Sequence, residues 1–197
     1  MNMREKQGMK TGLVSLWKES LGELRDIYAL TCCGILAALA VALKFVASID
    51  IGQYIRIGFS DLPGMAVSVL FGPAVGGIFW GILDIIKYIV APTGPFFPGF
   101  TFSAVVNGIL FGWILYHHSL TVQRVFAAQL VSKLMVSIGI NTYWLSILYG
   151  NAFLVMLPAR VLTAAVMLPI DTALTFVILR FTARLWRRTV QLKDGAY

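Results

Sequence analysis

The sequence predicts an all-α polytopic membrane protein, a bundle of six membrane-spanning helices. Of its 197 residues 58% are hydrophobic and 13% charged, whereas a soluble domain carries about a quarter charged residues. A spanning helix needs about 20 largely apolar residues. Six segments meet or approach this requirement, and the second is short: 28–48, 57–71, 73–91, 99–117, 123–148 and 157–186.

The distribution of Lys and Arg predicts that both termini are cytoplasmic. The predicted outer loops 49–56, 92–98 and 149–156 carry one cation, Arg56. An excess of basic residues on one side is typical of the cytoplasmic face, where anionic lipids supply the counter-charge. We therefore expect a cell-membrane protein that binds lipids and no nucleic acid. Its parts are an amphipathic cytoplasmic segment 1–27, a membrane domain 28–186 and a basic cytoplasmic tail 187–197.

Polar and ionisable residues lie inside the apolar segments, mostly in the outer half of the bundle. A charge in hydrocarbon costs at least a few kcal/mol, so such groups face a partner, a cavity or a ligand. Pairwise salt bridges would satisfy some of them, but a ligand pocket also explains why polar, aromatic and glycine positions converge. The candidate ligand-binding residues are Arg56, Asp61, Asp84, Lys87, Tyr88, Phe97, Ser103, Asn107, Asn141, Trp144 and Arg160.

Two further ionisable residues lie closer to the inner side of the membrane than the candidate pocket. Lys133 and Asp171 are each about nine residues from the inner end of their segments, which places them at the same depth. We expect an internal ion pair there, separate from the outer pocket. The sequence contains no nucleotide-binding loop, hydrolase motif or metal-ligand spacing. We therefore predict no catalytic residues, no metal and no cofactor.

The middle outer loop, 91–100, combines three prolines with aromatic residues. Proline restricts φ and glycine allows tight turns. The pattern fits either a stiff lid over the pocket or a rigid hairpin with interfacial aromatic side chains.

Several stretches together resemble the substrate-binding S components of energy-coupling factor (ECF) vitamin transporters, most closely the folate-specific branch. The resemblance covers about residues 28–186. It rests on Arg56-Ile57-Gly58-Phe59, Leu62-Pro63, Phe71-Gly72-Pro73, Gly76-Gly77, Gly81-Ile82-Leu83-Asp84, the 92–101 loop, Asn141-Thr142-Tyr143-Trp144-Leu145-Ser146 and Arg160. The Ala-x-x-x-Ala signature of the family matches Ala38 and Ala42.

The resemblance implies a six-helix bundle that captures folate or reduced folates from outside and is not an enzyme. Ala38 and Ala42 would dock on a transmembrane scaffold subunit, which couples to two ATP-binding subunits. Asp84 could accept hydrogen bonds from the pterin edge, and Trp144, Tyr88 and the loop aromatics could stack on the rings. Arg56, Arg160 or Lys87 could hold the glutamate carboxylates.

Two alternatives stay open at this level. One is the same architecture with another vitamin, such as riboflavin or thiamine. The other is a small lipid-modifying membrane enzyme with Asp84 and Asp61 as acid and base, although the sequence shows no nucleophile or metal cluster to support it.

Overall fold

A computed structural model of the chain describes residues 16–24, 26–46, 48–51, 55–92, 94–150 and 153–194. The predicted amphipathic character of residues 1–15 lies outside this part of the chain. The elements, in order, are α1 (16–23), α2 (Ile27–Val46), β1 (Ser48–Ile51), β2 (Ile55–Gly58), α3 (Leu62–Val90), α4 (Pro98–Leu115), α5 (Val122–Ser132), a π-helix (Lys133–Ile140), α6 (Asn141–Tyr149) and α7 (Phe153–Asp194).

The prediction of a helical membrane protein is confirmed. Five described helical stretches are long and apolar enough to cross a bilayer: Ile27–Phe45, Leu62–Val90, Pro98–Leu115, Val122–Leu148 and Arg160–Thr182. The fourth combines α5, the π-helix and α6. The basic tail predicted from residue 187 continues α7 as far as Asp194.

Helix α3 contains a reversal, and this accounts for the second and third predicted segments. Gly72 has φ 87° and ψ −174°, a conformation that only glycine adopts readily. In a continuous helix Asp61 and Lys87 would be about 39 Å apart, yet their side chains meet at 2.8 Å. Trp80 likewise donates to the Ser68 hydroxyl at 3.2 Å. Residues 62–71 and 73–90 therefore fold back on each other as a helical hairpin.

The second predicted segment is shorter than expected. Its first residues, up to Gly58, belong to the antiparallel hairpin of β1 and β2, whose backbone register pairs position 50 with position 56. Only residues 62–71 remain helical before the reversal, about 15 Å of helix. The sequence carries a signal for these strands, because alternating isoleucines at 49, 51, 55 and 57 are typical of β-structure.

The reversal is secured by a serine that lies far away in the sequence. The Ser20 hydroxyl, on α1, donates to the Phe71 carbonyl at 2.6 Å and accepts from the backbone N–H groups of Ala74 and Val75 at 3.1 Å. It therefore caps the second half of the hairpin from another element, since the first N–H groups of a helix lack internal partners. Ser20 is fully buried. α1 thus packs against the turn of the hairpin.

Close packing of α3 on α4 depends on glycine. A Cβ at Gly108 would lie 2.5 Å from the Gly76 carbonyl oxygen, and one at Gly112 would lie 2.5 Å from the Cα of Pro73. Small residues allow two helix backbones to approach in this way. The small-residue patterns around Gly76 and Gly108 are therefore intramolecular contacts.

Candidate ligand-binding site

A cavity of about 570 Å³ lies between α3, α4, the span Val122–Leu148 and α7. This volume is within the usual range for small-molecule sites. Both polar and aromatic side chains line it, together with Lys44 from α2 and part of the loop between α3 and α4.

Two carboxylates of the hairpin face the cavity in different environments. Asp61 forms an ion pair with Lys87, whose ammonium group also donates to the backbone carbonyl and hydroxyl of Ser60. Lys87 is 9% exposed, and its ammonium group joins the two halves of the hairpin through these contacts. Asp84 accepts a hydrogen bond from the Thr101 hydroxyl at 2.8 Å. The alternative of pairwise ion pairs therefore holds for Asp61 and Lys87 and not for Asp84.

Aromatic side chains connect the loop between α3 and α4 to the helices beside it. Phe96 packs on Tyr88 with 5.0 Å between the ring centroids, and Phe97 packs on Trp144 at 5.4 Å. Gly99 permits the second contact, because a Cβ there would lie 2.6 Å from the Trp144 ring. Phe96, Phe97 and Tyr88 all line the cavity. The loop thus covers one end of the cavity, which favours the lid over a simple hairpin.

The π-helix keeps a polar stripe of the span Val122–Leu148 directed at the cavity. Residues spaced by four drift by about 40° per step around an α-helix, so a stripe from 129 to 145 would turn away. Hydrogen bonds from i to i+5 widen the turn and reverse this drift. As a result residues at intervals of four line the cavity along this span. They are the polar residues Gln129, Lys133, Ser137 and Asn141, followed by Leu145.

The deeper part of the cavity is closed by satisfied polar pairs. Lys133 and Asp171 form the predicted ion pair at 2.6 Å. Gln129 donates to the Thr175 hydroxyl at 2.8 Å, and Ser132 donates to Asn107. The ion pair was expected apart from the pocket, and this expectation was wrong because Lys133 and Asp171 both line the cavity.

Three buried polar atoms have no hydrogen-bond partner among the described residues: Asn141 Oδ1, Trp144 Nε1 and Arg160 Nε. The Arg160 guanidinium has one long contact, from Nη1 to the Ser137 carbonyl oxygen at 3.4 Å. A buried polar group without a partner costs about 1–3 kcal/mol, and such groups are rare in folded proteins. Asn141 and Arg160 line the cavity, so a ligand that binds there can supply their missing partners.

The structure places nine of the eleven sequence-predicted residues on the cavity wall: Asp61, Asp84, Lys87, Tyr88, Phe97, Ser103, Asn107, Asn141 and Arg160. Trp144 lies behind Phe97, and the side chain of Arg56 lies outside the described part of the chain. Lys44, Ser60, Ser132 and Thr163 also line the cavity and were not among the candidates. Lys44 lies near the end of the first apolar segment and gave no signal beyond its charge, whereas Ser132 lies next to the polar stripe.

The charges of the cavity define a class of ligand. Among the described cavity-lining ions, Asp61 pairs with Lys87 and Lys133 pairs with Asp171. Asp84 and Arg160 have no ion-pair partner in the same part of the chain. A ligand that satisfies both presents hydrogen-bond donors to the carboxylate and an anion to the guanidinium. The fold and the site therefore define a membrane protein that binds a small, polar and partly aromatic molecule.

Comparison with known proteins gives the family. The family model for the ECF transporter substrate-specific component matches residues 29–179, so the chain belongs to this family. It is 34% identical over 131 residues to "Folate transporter FolT" of Clostridium novyi, covering 66% of this chain and 76% of that protein. It is 28% identical over 153 residues to "Folate transporter FolT" of Leuconostoc mesenteroides, covering 74% of this chain and 83% of that protein.

A solved structure has the same fold. The protein described as "Crystal structure of FolT bound with folic acid" superimposes with a TM-score of 0.72 at 25% identity, over 79% of this chain and 94% of that one.

Proposed function

We propose that this protein is the folate-binding subunit of an ECF-type transporter in the cell membrane, without enzymatic activity of its own. It captures folate from outside and delivers it to an energising module built from a transmembrane scaffold and two ATP-binding subunits. Six spans with cytoplasmic termini follow from the basic terminal segments and from the α3 hairpin, which returns the chain to the outer side.

The observation that carries the proposal is that Asp84 and Arg160 both line the cavity and that neither forms an ion pair with another described residue. Folate has a pterin edge with amide and amino donors at one end and glutamate carboxylates at the other, joined by an aromatic middle. Asp84 suits the pterin edge, the Phe97 ring, packed on Trp144, suits the aromatic middle, and Arg160 suits a carboxylate. Riboflavin offers no carboxylate to Arg160, and thiamine offers it a cation.

Folate binding tests the proposal. The purified chain should bind one folate per molecule without ATP or other subunits, because the cavity is complete within one bundle. Calorimetry in detergent, with riboflavin and thiamine as competing candidates, measures this. A well-folded sample that binds riboflavin or thiamine tightly and ignores folate would assign the cavity to another vitamin.

Docking on the scaffold is the second part of the proposal. Ala38 and Ala42 are exposed on the same side of α2, and a Cβ at Gly34 meets nothing within 4 Å. Small residues on an open helix face suit close approach of another membrane helix. Because this face is not part of the cavity wall, docking and binding should be separable.

We expect Ala38→Trp to abolish folate uptake by cells and to leave folate affinity of the isolated protein within about threefold, since a large side chain blocks helix approach without touching the cavity. Uptake assays and titrations measure the two effects. Ala173→Trp, on the exposed face of α7, is the matched control and should preserve uptake. Joint loss of affinity and uptake in Ala38→Trp would show that this face supports the cavity.

A further inference from the structure

The end of α3 is held by a lysine from another helix. The Lys44 ammonium group, on α2, donates to the carbonyl oxygens of Lys87 at 2.8 Å and Ala91 at 2.6 Å. The Lys87 carbonyl oxygen also accepts the Ala91 N–H at 3.1 Å, so Lys44 is its second donor. A cation at the C-terminal end of a helix is favoured by the helix dipole. Lys44 is therefore bound where α3 ends, and it also lines the cavity.

Ala91 directly precedes the lid in the sequence. The lid, residues 92–97, of which the structure describes 92 and 94–97, is held at its far end by the contact of Phe97 with Trp144 and in between by the contact of Phe96 with Tyr88. Pro92 follows Ala91 directly and restricts the backbone there. The lid thus has an aromatic attachment at its tip and a charge-assisted attachment to α2 at its start.

Lys44 and the exposed small residues lie on different faces of α2. Lys44 lies two positions after Ala42, which corresponds to a rotation of about 200° around the helix. One face of α2 is therefore open, while the other reaches α3 through Lys44. A displacement of α2 away from α3 would withdraw the ammonium group from the start of the lid.

We propose that Lys44 is a positioning residue for the lid, which sets how long a ligand stays in the cavity and transmits movement of α2 to the lid. With Lys44 on the two carbonyls, the lid starts from a fixed point and its aromatic side chains stay over the cavity. Without Lys44, the Ala91 carbonyl is released and the lid can lift. The identity of the ligand in this inference rests on the proposed function, whereas the attachment of the lid does not.

The test is Lys44→Met, which keeps the apolar stem and removes the donors. Folate should dissociate at least about tenfold faster, while its association rate changes by less than about threefold, because interactions that close a site act mainly on dissociation. Stopped-flow displacement measures both rates. Lys44→Arg, which also donates two hydrogen bonds, should restore slow dissociation. Thr31→Val, on the same helix, removes a hydrogen bond to the Ile27 carbonyl and should leave both rates unchanged.

Hydrogen–deuterium exchange of the lid in the ligand-free protein provides a readout that does not need folate. Pro92 and Pro95 have no amide hydrogen, so the readout is exchange at Gly94, Phe96 and Phe97. It should be at least severalfold faster in Lys44→Met than in Lys44→Arg and wild type. A lower melting temperature with unchanged dissociation and lid exchange would make Lys44 a purely structural residue and overturn the inference. Should Lys44→Met not fold, Lys44→Gln is measured in the same way, and wild-type rates in that variant contradict the proposal. Failure of wild type to bind folate overturns the proposed function alone, because the exchange experiment still reports on Lys44.

Discussion

Asp84→Asn should weaken folate binding by roughly 30- to 4,000-fold. Loss of a partner from a buried charge-assisted hydrogen bond costs about 2–5 kcal/mol, and about 1.4 kcal/mol corresponds to a factor of ten. The amide keeps the shape of the side chain but turns one acceptor into a donor that faces the donors of the pterin edge. The amide oxygen can still accept from the Thr101 hydroxyl, so the ligand-free protein should lose little stability.

Folate titrations and melting curves of Asp84→Asn measure these two effects. Glu19→Gln is the control for the same change of charge outside the cavity, since Glu19 lies beside His117. It should bind folate as wild type does. If Asp84→Asn melts far below wild type yet binds folate normally, Asp84 is a structural group and the ligand is recognised elsewhere.

Asp171→Asn should have the opposite profile. It leaves the Lys133 ammonium group without its 2.6 Å partner. Removal of one partner costs about 3–5 kcal/mol for a fully buried pair and about 0–1 kcal/mol for an exposed one. The Lys133 and Asp171 side chains are 19% and 34% exposed, so we expect a cost between these limits, about 1–3 kcal/mol.

Melting curves should therefore place Asp171→Asn clearly below wild type and below Asp84→Asn. Folate affinity should fall less than in Asp84→Asn, because Asp171 already has a protein partner. Lys133→Met combined with Asp171→Leu removes both charges and should recover part of the lost stability, since no ion is left unpaired. If Asp171→Asn leaves stability unchanged and abolishes binding, the ion pair is part of ligand recognition.

The parts of the fold that the sequence could predict are those set by local pattern. Apolar runs located the membrane helices, and Phe71-Gly72-Pro73 located the reversal. The ion pair of Lys133 with Asp171 could be predicted because depth along two helices is readable from residue number. The β1–β2 hairpin was missed because short strands beside a membrane helix were interpreted as loop.

The remaining features depend on contacts between distant residues. Nothing local shows that Ser20 caps a turn 51 residues away or that Lys44 reaches the end of α3. Of the two basic residues predicted for the glutamate end whose side chains the structure describes, Lys87 is occupied by Asp61 and Arg160 is not ion-paired in that part of the chain. This difference depends on the hairpin geometry, which charge and helical angle do not determine. The π-helix was only weakly indicated in the sequence, by the polar residues spaced by four along the span that contains it.

The most direct test of the central claim is native mass spectrometry of the purified wild-type chain, mixed with equal amounts of folate, riboflavin and thiamine. The account predicts one dominant complex, with a single folate per chain, that is strongly reduced in Asp84→Asn. A dominant complex with riboflavin or thiamine, or a folate signal equally strong in Asp84→Asn, would contradict it.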